Sequence, residues 1–226
     1  MTTFQRARSE EARVIRRQAI LDTAAQMLTE MPAGDITLNE LSRRSRLAKS
    51  GFLKYFESRE AVLLELLDRA WKQWTAEVAD ELAAPAGTTQ PAQQRGADFA
   101  ATLTRTLAAH PQLCDLLSAQ AGVLEHNVSA GVVNRYKRSA FANVAALAEL
   151  ARTRLPELGD GAEQLCAQMI MAIGAVWSHA RPSASMLAAY EADPELAKLR
   201  MSFSPTLDGM LHTLIAGALA LAGNRS

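Results

Sequence analysis

Five cations fall between Leu41 and Phe56: Arg43, Arg44, Arg46, Lys49 and Lys54, with no acidic residue among them. Groups of this kind neutralise phosphates, and a local basic cluster is the electrostatic footprint of nucleic-acid binding. A solvated basic face has the same composition, so the elements carrying the charges must decide. Lys49 and Ser50 stand where a short helix would begin. Lysine can donate to guanine O6 or N7, and serine accommodates several bases. Catalytic chemistry has no comparable signal. The sequence contains no Gly-rich phosphate loop, HExxH or GxSxG. His110, His126, His179 and His212 are scattered and lack metal-ligand spacing. Cys114 and Cys166 form no CxxC and read as reduced, buried thiols. No enzyme activity, cofactor or metal is expected.

The stretch Ile36–Glu60 supplies the positioning elements. Thr37 and Glu40 have the spacing of a capping box, which starts a helix carrying Leu38 and Leu41 on one face. The pattern pauses at Ser45-Arg46-Leu47-Ala48. It resumes with Phe52 and Phe56, four apart on one face of a second short helix over about Lys49–Tyr55. Burying the two phenylalanines leaves Lys49, Ser50, Leu53 and Lys54 outward. Ser58 then caps a third helix that runs to about Leu82. Two short helices joined by a tight turn, the second basic, describe a helix-turn-helix over about residues 37–56.

Residues 15–70 resemble the DNA-binding domain of TetR-family transcriptional regulators. The resemblance rests on Ile20-Leu21-Asp22-Thr23-Ala24-Ala25, Ile36-Thr37, Glu40-Leu41, Lys49 through Phe56, and Ser58-Arg59-Glu60-Ala61-Val62-Leu63. It implies that Thr37, Lys54, Tyr55 and Arg59 hold the phosphate backbone and that Asn39, Lys49 and Ser50 meet base edges. Arg46 and Gly51 complete the expected DNA-binding set. Thr37 can equally serve as a cap, and Tyr55 can mainly pack. Three positions depart from the family pattern. Arg46 replaces the usual turn glycine and must adopt the turn conformation itself. Ala48 replaces a common Ser or Thr cap. Leu53 replaces a tyrosine that commonly contacts phosphate.

The remaining sequence reads as all-α. Alanine and leucine are abundant, and no sustained strand alternation with hairpin signals is present. Residues 1–60 carry 11 Lys and Arg against 8 Asp and Glu, a net +3, so the rest of this neutral chain carries −3. The expected organisation is a DNA-binding domain over 1–60 and an effector-binding and dimerisation domain over 61–226, with the helix 58–82 connecting them. Residues 1–12 are polar, and Arg6 and Arg8 could form a DNA-reaching arm or a frayed terminus. Residues 83–91 read as a linker. Further helices are expected over about 92–109, 111–119, 129–155, 161–179 and 204–221, with a partly helical excursion over 181–203. The N-terminus lacks a signal-peptide pattern, and Leu214–Ala222 is too short to span a bilayer. A cytoplasmic protein is expected.

An effector pocket would draw on Trp71, Trp74, Leu103, Leu116, Gln120, Val144, Leu147, Met169, Ile173 and Trp177, although core packing is the favoured reading of Trp71 and Trp74. The last two long helices are apolar on nearly every side, which implies burial. Pairing with a second subunit through Ile170, Gly174, Trp177, Met210, Leu214, Gly217 and Leu221 would provide it. These readings converge on a homodimer that binds a near-palindromic double-stranded operator and is released by a small apolar or amphipathic effector. An effector-independent architectural dimer, an activator and an all-helical enzyme are the alternatives.

Overall fold

The computed structural model describes residues 3–83 and 90–224, with side chains described from residue 10 onward. Its α-helices, in chain order, are α1 (Thr3–Glu30), α2 (Leu38–Arg44), α3 (Lys49–Phe52), α4 (Arg59–Glu81), α5 (Ala92–Ala108), α6 (Pro111–Ala119), α7 (Ala130–Arg154), α8 (Ala162–Ala180), α9 (Ala184–Ala192), α10 (Pro194–Ala197) and α11 (Phe203–Gly223). No strand occurs among the described residues, and the fold is all-α. The linker expected at 83–91 lies almost wholly outside the described residues, as do the side chains of Arg6 and Arg8.

The chain forms two compact units, residues 1–69 with 119–137, and residues 70–118 with 138–226. The first unit therefore takes in a segment far along the chain that has no helix-turn-helix pattern of its own. Both α4 and α7 contribute residues to each unit.

Local chemistry sets the helix starts. Thr37 caps α2 by accepting a hydrogen bond from the Glu40 amide at 3.1 Å. The Glu40 side chain does not close the capping box; it turns to Arg43 and Arg44 instead. Ser58 Oγ accepts from the Ala61 amide at 3.1 Å at the start of α4. Ala48 occupies the N-cap position of α3 with no side-chain cap. Arg46 has φ of 55°, the left-handed turn conformation that a glycine would adopt without strain. The first helix begins about ten residues earlier than its apolar spacing suggests, because Thr3–Arg13 continues the helix with polar residues.

In the first unit, Ile20, Leu21, Ala24 and Met27 of α1, Leu41 of α2, and Phe52 and Phe56 are buried together with Val62 and Leu63 of α4. Full burial of a phenylalanine contributes roughly 1.5–3 kcal/mol. That anchorage matters most for α3, whose four helical residues are too few for a stable isolated helix.

In the second unit, α11 packs one face inward through Leu207, Leu211, Ile215 and Leu219. A Cβ on Gly96 of α5 would stand 2.8 Å from Ile215 Cγ2, so this glycine permits the close approach of α5 and α11. Gly174 of α8 is likewise filled from within its own chain, with a Cβ there meeting the Leu117 carbonyl oxygen at 3.1 Å. All-round apolarity does not bring all-round burial in α11: Met210 and Leu221 are exposed. By length and composition this 21-residue helix could cross a membrane, which the shorter apolar stretch 214–222 does not suggest. Its inward leucine and isoleucine stripe is that of a packed helix. Phe141, at an apolar position in the pattern of α7, is also exposed. Asn143, Leu147, Ala148 and Ala151 carry the buried face there. Cys114 and Cys166 are free and buried, and burial pushes both thiols up to about 12, leaving them neutral.

The extended backbone of Ala48 (φ −65°, ψ 152°) already suits a capping residue. Ala48→Ser is expected to raise stability by about 1 kcal/mol. Urea denaturation followed by helical circular dichroism checks this, and an unchanged midpoint would show that the added hydroxyl finds no amide.

Candidate nucleic-acid interface

Lys49, Ser50, Leu53 and Lys54 are exposed, while Phe52 and Phe56 are buried. The α3 segment thus presents one polar, basic face. Regular helix ends at Phe52, and the chain continues to Tyr55 in successive turns. Arg46, just ahead of α3, is exposed, as are Thr37 and Asn39 around the start of α2. The Thr37 hydroxyl accepts from Glu40 and keeps its own proton to donate, so capping and phosphate contact are compatible.

Glu40 sorts the five cations. Its carboxylate takes two hydrogen bonds from Arg43 (Nε at 2.8 Å, Nη2 at 2.5 Å) and one from Arg44 Nε at 2.8 Å. Arg44 also pairs with Glu30 of α1. Hydrogen bonds from Arg43 first and Arg44 second pull Glu40 down from 4.5 to about 2, so it stays ionised at neutral pH. The acid lies one residue outside the window that reads as purely basic. Among the described residues, Arg46, Lys49 and Lys54 are the members of the cluster without an acidic partner.

Arg59 serves the fold as well. Its guanidinium donates to the carbonyls of Gly34 and Ile36, and its Nε lies 2.9 Å from the buried Glu60 carboxylate. It ties the loop ahead of α2 to the start of α4. Tyr55 is half-buried, and its carbonyl accepts from Arg17 Nη1 at 2.8 Å. Arg17 also lies 3.9 Å over the Phe56 ring and pairs with Glu65 of α4. This clamp between α1, the end of the α3 segment and α4 has no local sequence signal, because its members are 38 and 48 residues apart.

Gly51 differs from Gly96 and Gly174, which close packing requires. A Cβ there would meet only Leu47 Cδ2, at an ordinary 3.9 Å. Nothing among the described residues demands a glycine at this half-buried position of α3.

A second contact outside the sequence motif holds residues 119–137 in this unit. Glu57 accepts from the Ser129 amide and, at 2.9 Å, from Ser129 Oγ, at the start of α7. Glu125 is held by Lys137 at 2.6 Å and by Gln120 at 2.8 Å. Gln120, expected in a pocket, thus belongs to the first unit, where Gln120–Leu124 forms a π-helical turn.

The remaining pocket positions are mixed in character. Trp71, Trp74, Leu103, Leu116, Leu147, Met169 and Ile173 are almost fully buried, whereas Val144 is half-buried. Trp74 Nε1 donates to Thr106 Oγ1 at 2.9 Å, a core hydrogen bond. Trp71 Nε1 is buried with no hydrogen-bond partner. Trp177 donates to Asp115 at 3.2 Å and meets Phe203 edge-on at 5.0 Å. Of the expected interface positions, Ile170, Gly174 and Trp177 are buried, and Leu214 is half-buried. Met210, Gly217 and Leu221 are exposed on one face of α11.

Over 58 residues the chain is 43% identical to the HTH-type transcriptional regulator EthR of Mycobacterium tuberculosis H37Rv, and equally to EthR of Mycobacterium bovis. That match covers 26% of this chain and 27% of each relative, so it spans about a quarter of their length. The solved structure of the fatty acid degradation regulator FadR from Bacillus halodurans shares the fold with a TM-score of 0.51 at 12% identity, over 89% of this chain and 95% of that one. The family model for the tetracyclin repressor-like C-terminal domain matches residues 68–222. That is well over half of the 226 residues, and the chain belongs to the TetR family.

Proposed function

We propose that the protein is a homodimeric, sequence-specific DNA-binding regulator of transcription, a repressor released from a near-palindromic operator by a small molecule. The observation that carries the DNA-binding part is the exposed face of the α3 segment. It offers Arg46, Lys49 and Lys54 free of acidic partners, beside Ser50, Thr37 and Asn39. In this reading Asn39, Lys49 and Ser50 meet base edges, while Thr37, Lys54 and Tyr55 hold phosphates. Arg59 would contribute only through donors left over from its carbonyl and carboxylate contacts. Gly51 lets the backbone itself approach the nucleic acid, which accounts for a glycine that internal packing does not require.

A dimer would present two such faces to the two halves of an operator. The uncovered residues Met210, Gly217 and Leu221 on α11 are suited to that association. The DNA-binding domain of this reading is residues 1–60 and the effector-binding and dimerisation domain 61–226. Residues 61–69 and 119–137 share the compact unit of the DNA-binding domain, so they would couple the two functions. The protein would act in the cytoplasm and need no cofactor.

The effector part rests on Trp71. A buried indole N–H without an acceptor calls for a water or a ligand group to satisfy it. An apolar or amphipathic molecule with one hydrogen-bond acceptor would supply that partner. Differential affinity for two states of the dimer would supply release, with a coupling of about 1–3 kcal/mol.

The test of DNA binding uses the protein's own upstream intergenic DNA. Gly51→Ala is expected to hold or raise stability, by up to about 1 kcal/mol from helix propensity, while weakening operator binding at least about tenfold. Equal binding by the variant, or no preference of the wild type for any genomic fragment in a pull-down, would overturn the reading. For the effector, a library of amphipathic carboxylates and amides is screened for release of that DNA. A true effector is expected to change tryptophan fluorescence in the wild type and to lose most of that change in Trp71→Phe. Release without any dependence on Trp71 would remove this residue from the pocket.

A further inference from the structure

Residues 191–202, at the far end of the excursion between α8 and α11, are exposed without interruption. Neither α9 nor α10 buries a single residue. Helices of nine and four residues do not hold themselves together in water. Leu199, moreover, is 67% exposed, and Met201 and Leu196 are 44% and 40% exposed. An ordered, wholly uncovered segment that bears three exposed apolar side chains is one that lacks its partner.

Its charge pattern identifies the partner. Glu191, Asp193 and Glu195 precede Leu196; Lys198 and Arg200 follow it. Asp193 caps the Glu195 amide at 2.8 Å, and Lys198 reaches Glu195 at 2.6 Å. Glu191 and Arg200 have no partner among the described residues. A segment that is acidic before its midpoint and basic after it is complementary to its own antiparallel copy. A two-fold axis near Leu196 would set each acidic half against the basic half of the other and bring the apolar side chains between them. The segment also begins at the end of α8 and ends at the first turn of α11, the helices that bear the uncovered Met171, Met210 and Leu221. We propose that residues 183–201 form a self-complementary arm that pairs antiparallel with the same arm of a second copy of this chain. The proposal rests on the dimeric reading above and adds to it a partner-selecting device outside α8 and α11.

Sedimentation equilibrium of the full chain at low salt tests this with two charge variants. Lys198→Glu with Arg200→Glu makes the arm acidic throughout. Glu191→Lys with Glu195→Lys makes it predominantly basic while keeping the Asp193 cap. Each alone is expected to dimerise at least about tenfold more weakly than the wild type, because like charges then face each other. An equimolar mixture is expected to recover wild-type association as a heterodimer. Unchanged helical circular dichroism in both variants confirms that folding is intact. A dimeric wild type whose variants associate just as tightly, or a mixture no tighter than its components, would overturn the arm alone. A monomeric wild type would overturn the dimeric reading and the arm with it.

Discussion

The burial of Phe52 and Phe56 is the constraint on which the exposed basic face of α3, the proposed DNA-binding surface, depends. The α3 segment has four regular helical residues, no side-chain cap at Ala48 and a left-handed arginine in the turn before it. Each of these weakens a helix. What fixes the segment is the pair of phenylalanines four residues apart, with ring centroids 6.1 Å from each other, and the Arg17 clamp over the second ring. Losing either ring would cost about 3–5 kcal/mol and leave Lys49, Ser50 and Lys54 without a defined direction. Rigidity here comes from packing and long-range hydrogen bonds, not from helix propensity.

Electrostatics then divide the basic surface. Glu40 draws Arg43 and Arg44 back onto α2, and Glu30 holds Arg44 from α1. These pairs are exposed, so they contribute little to stability. Their effect is selective: they leave Arg46, Lys49 and Lys54 as the charges free to neutralise phosphates. Three further acids of this unit have structural tasks of their own. Glu60 orients Arg59, Glu65 orients Arg17, and Glu57 receives Ser129.

Local signals in the sequence carried a good deal of this. The Thr37 and Ser58 caps and the phenylalanine spacing each involve residues within four positions of one another, where spacing is informative, whereas the turn at Arg46 and the missing cap at Ala48 were marked by comparison with the family pattern. Most helix boundaries follow from the same short-range rules. The Arg17 clamp, the Ser129–Glu57 contact and the place of residues 119–137 beside the helix-turn-helix were not legible, because pairs that distant leave no periodicity. The basic window misled by beginning one residue too late to include Glu40. In α11, composition suggested burial all round, whereas a single chain offers packing to one face only. The excursion at 181–203 had no readable role because its residues find little to pack against within their own chain.

The central claim is that Glu40 withholds two arginines from the DNA and leaves the α3 face to bind it. The most direct measurement is the salt dependence of operator affinity for Arg43→Ala and Lys49→Ala beside the wild type. Each phosphate contact contributes about 0.9 to the slope of log affinity against log salt. Lys49→Ala is expected to weaken binding strongly, by lost base and phosphate contact. Arg43→Ala, which leaves Arg44 on Glu40, is expected to keep both affinity and slope close to those of the wild type. A slope flattened by Arg43→Ala by about one contact per protomer, with Lys49→Ala indistinguishable from wild type, would contradict the account.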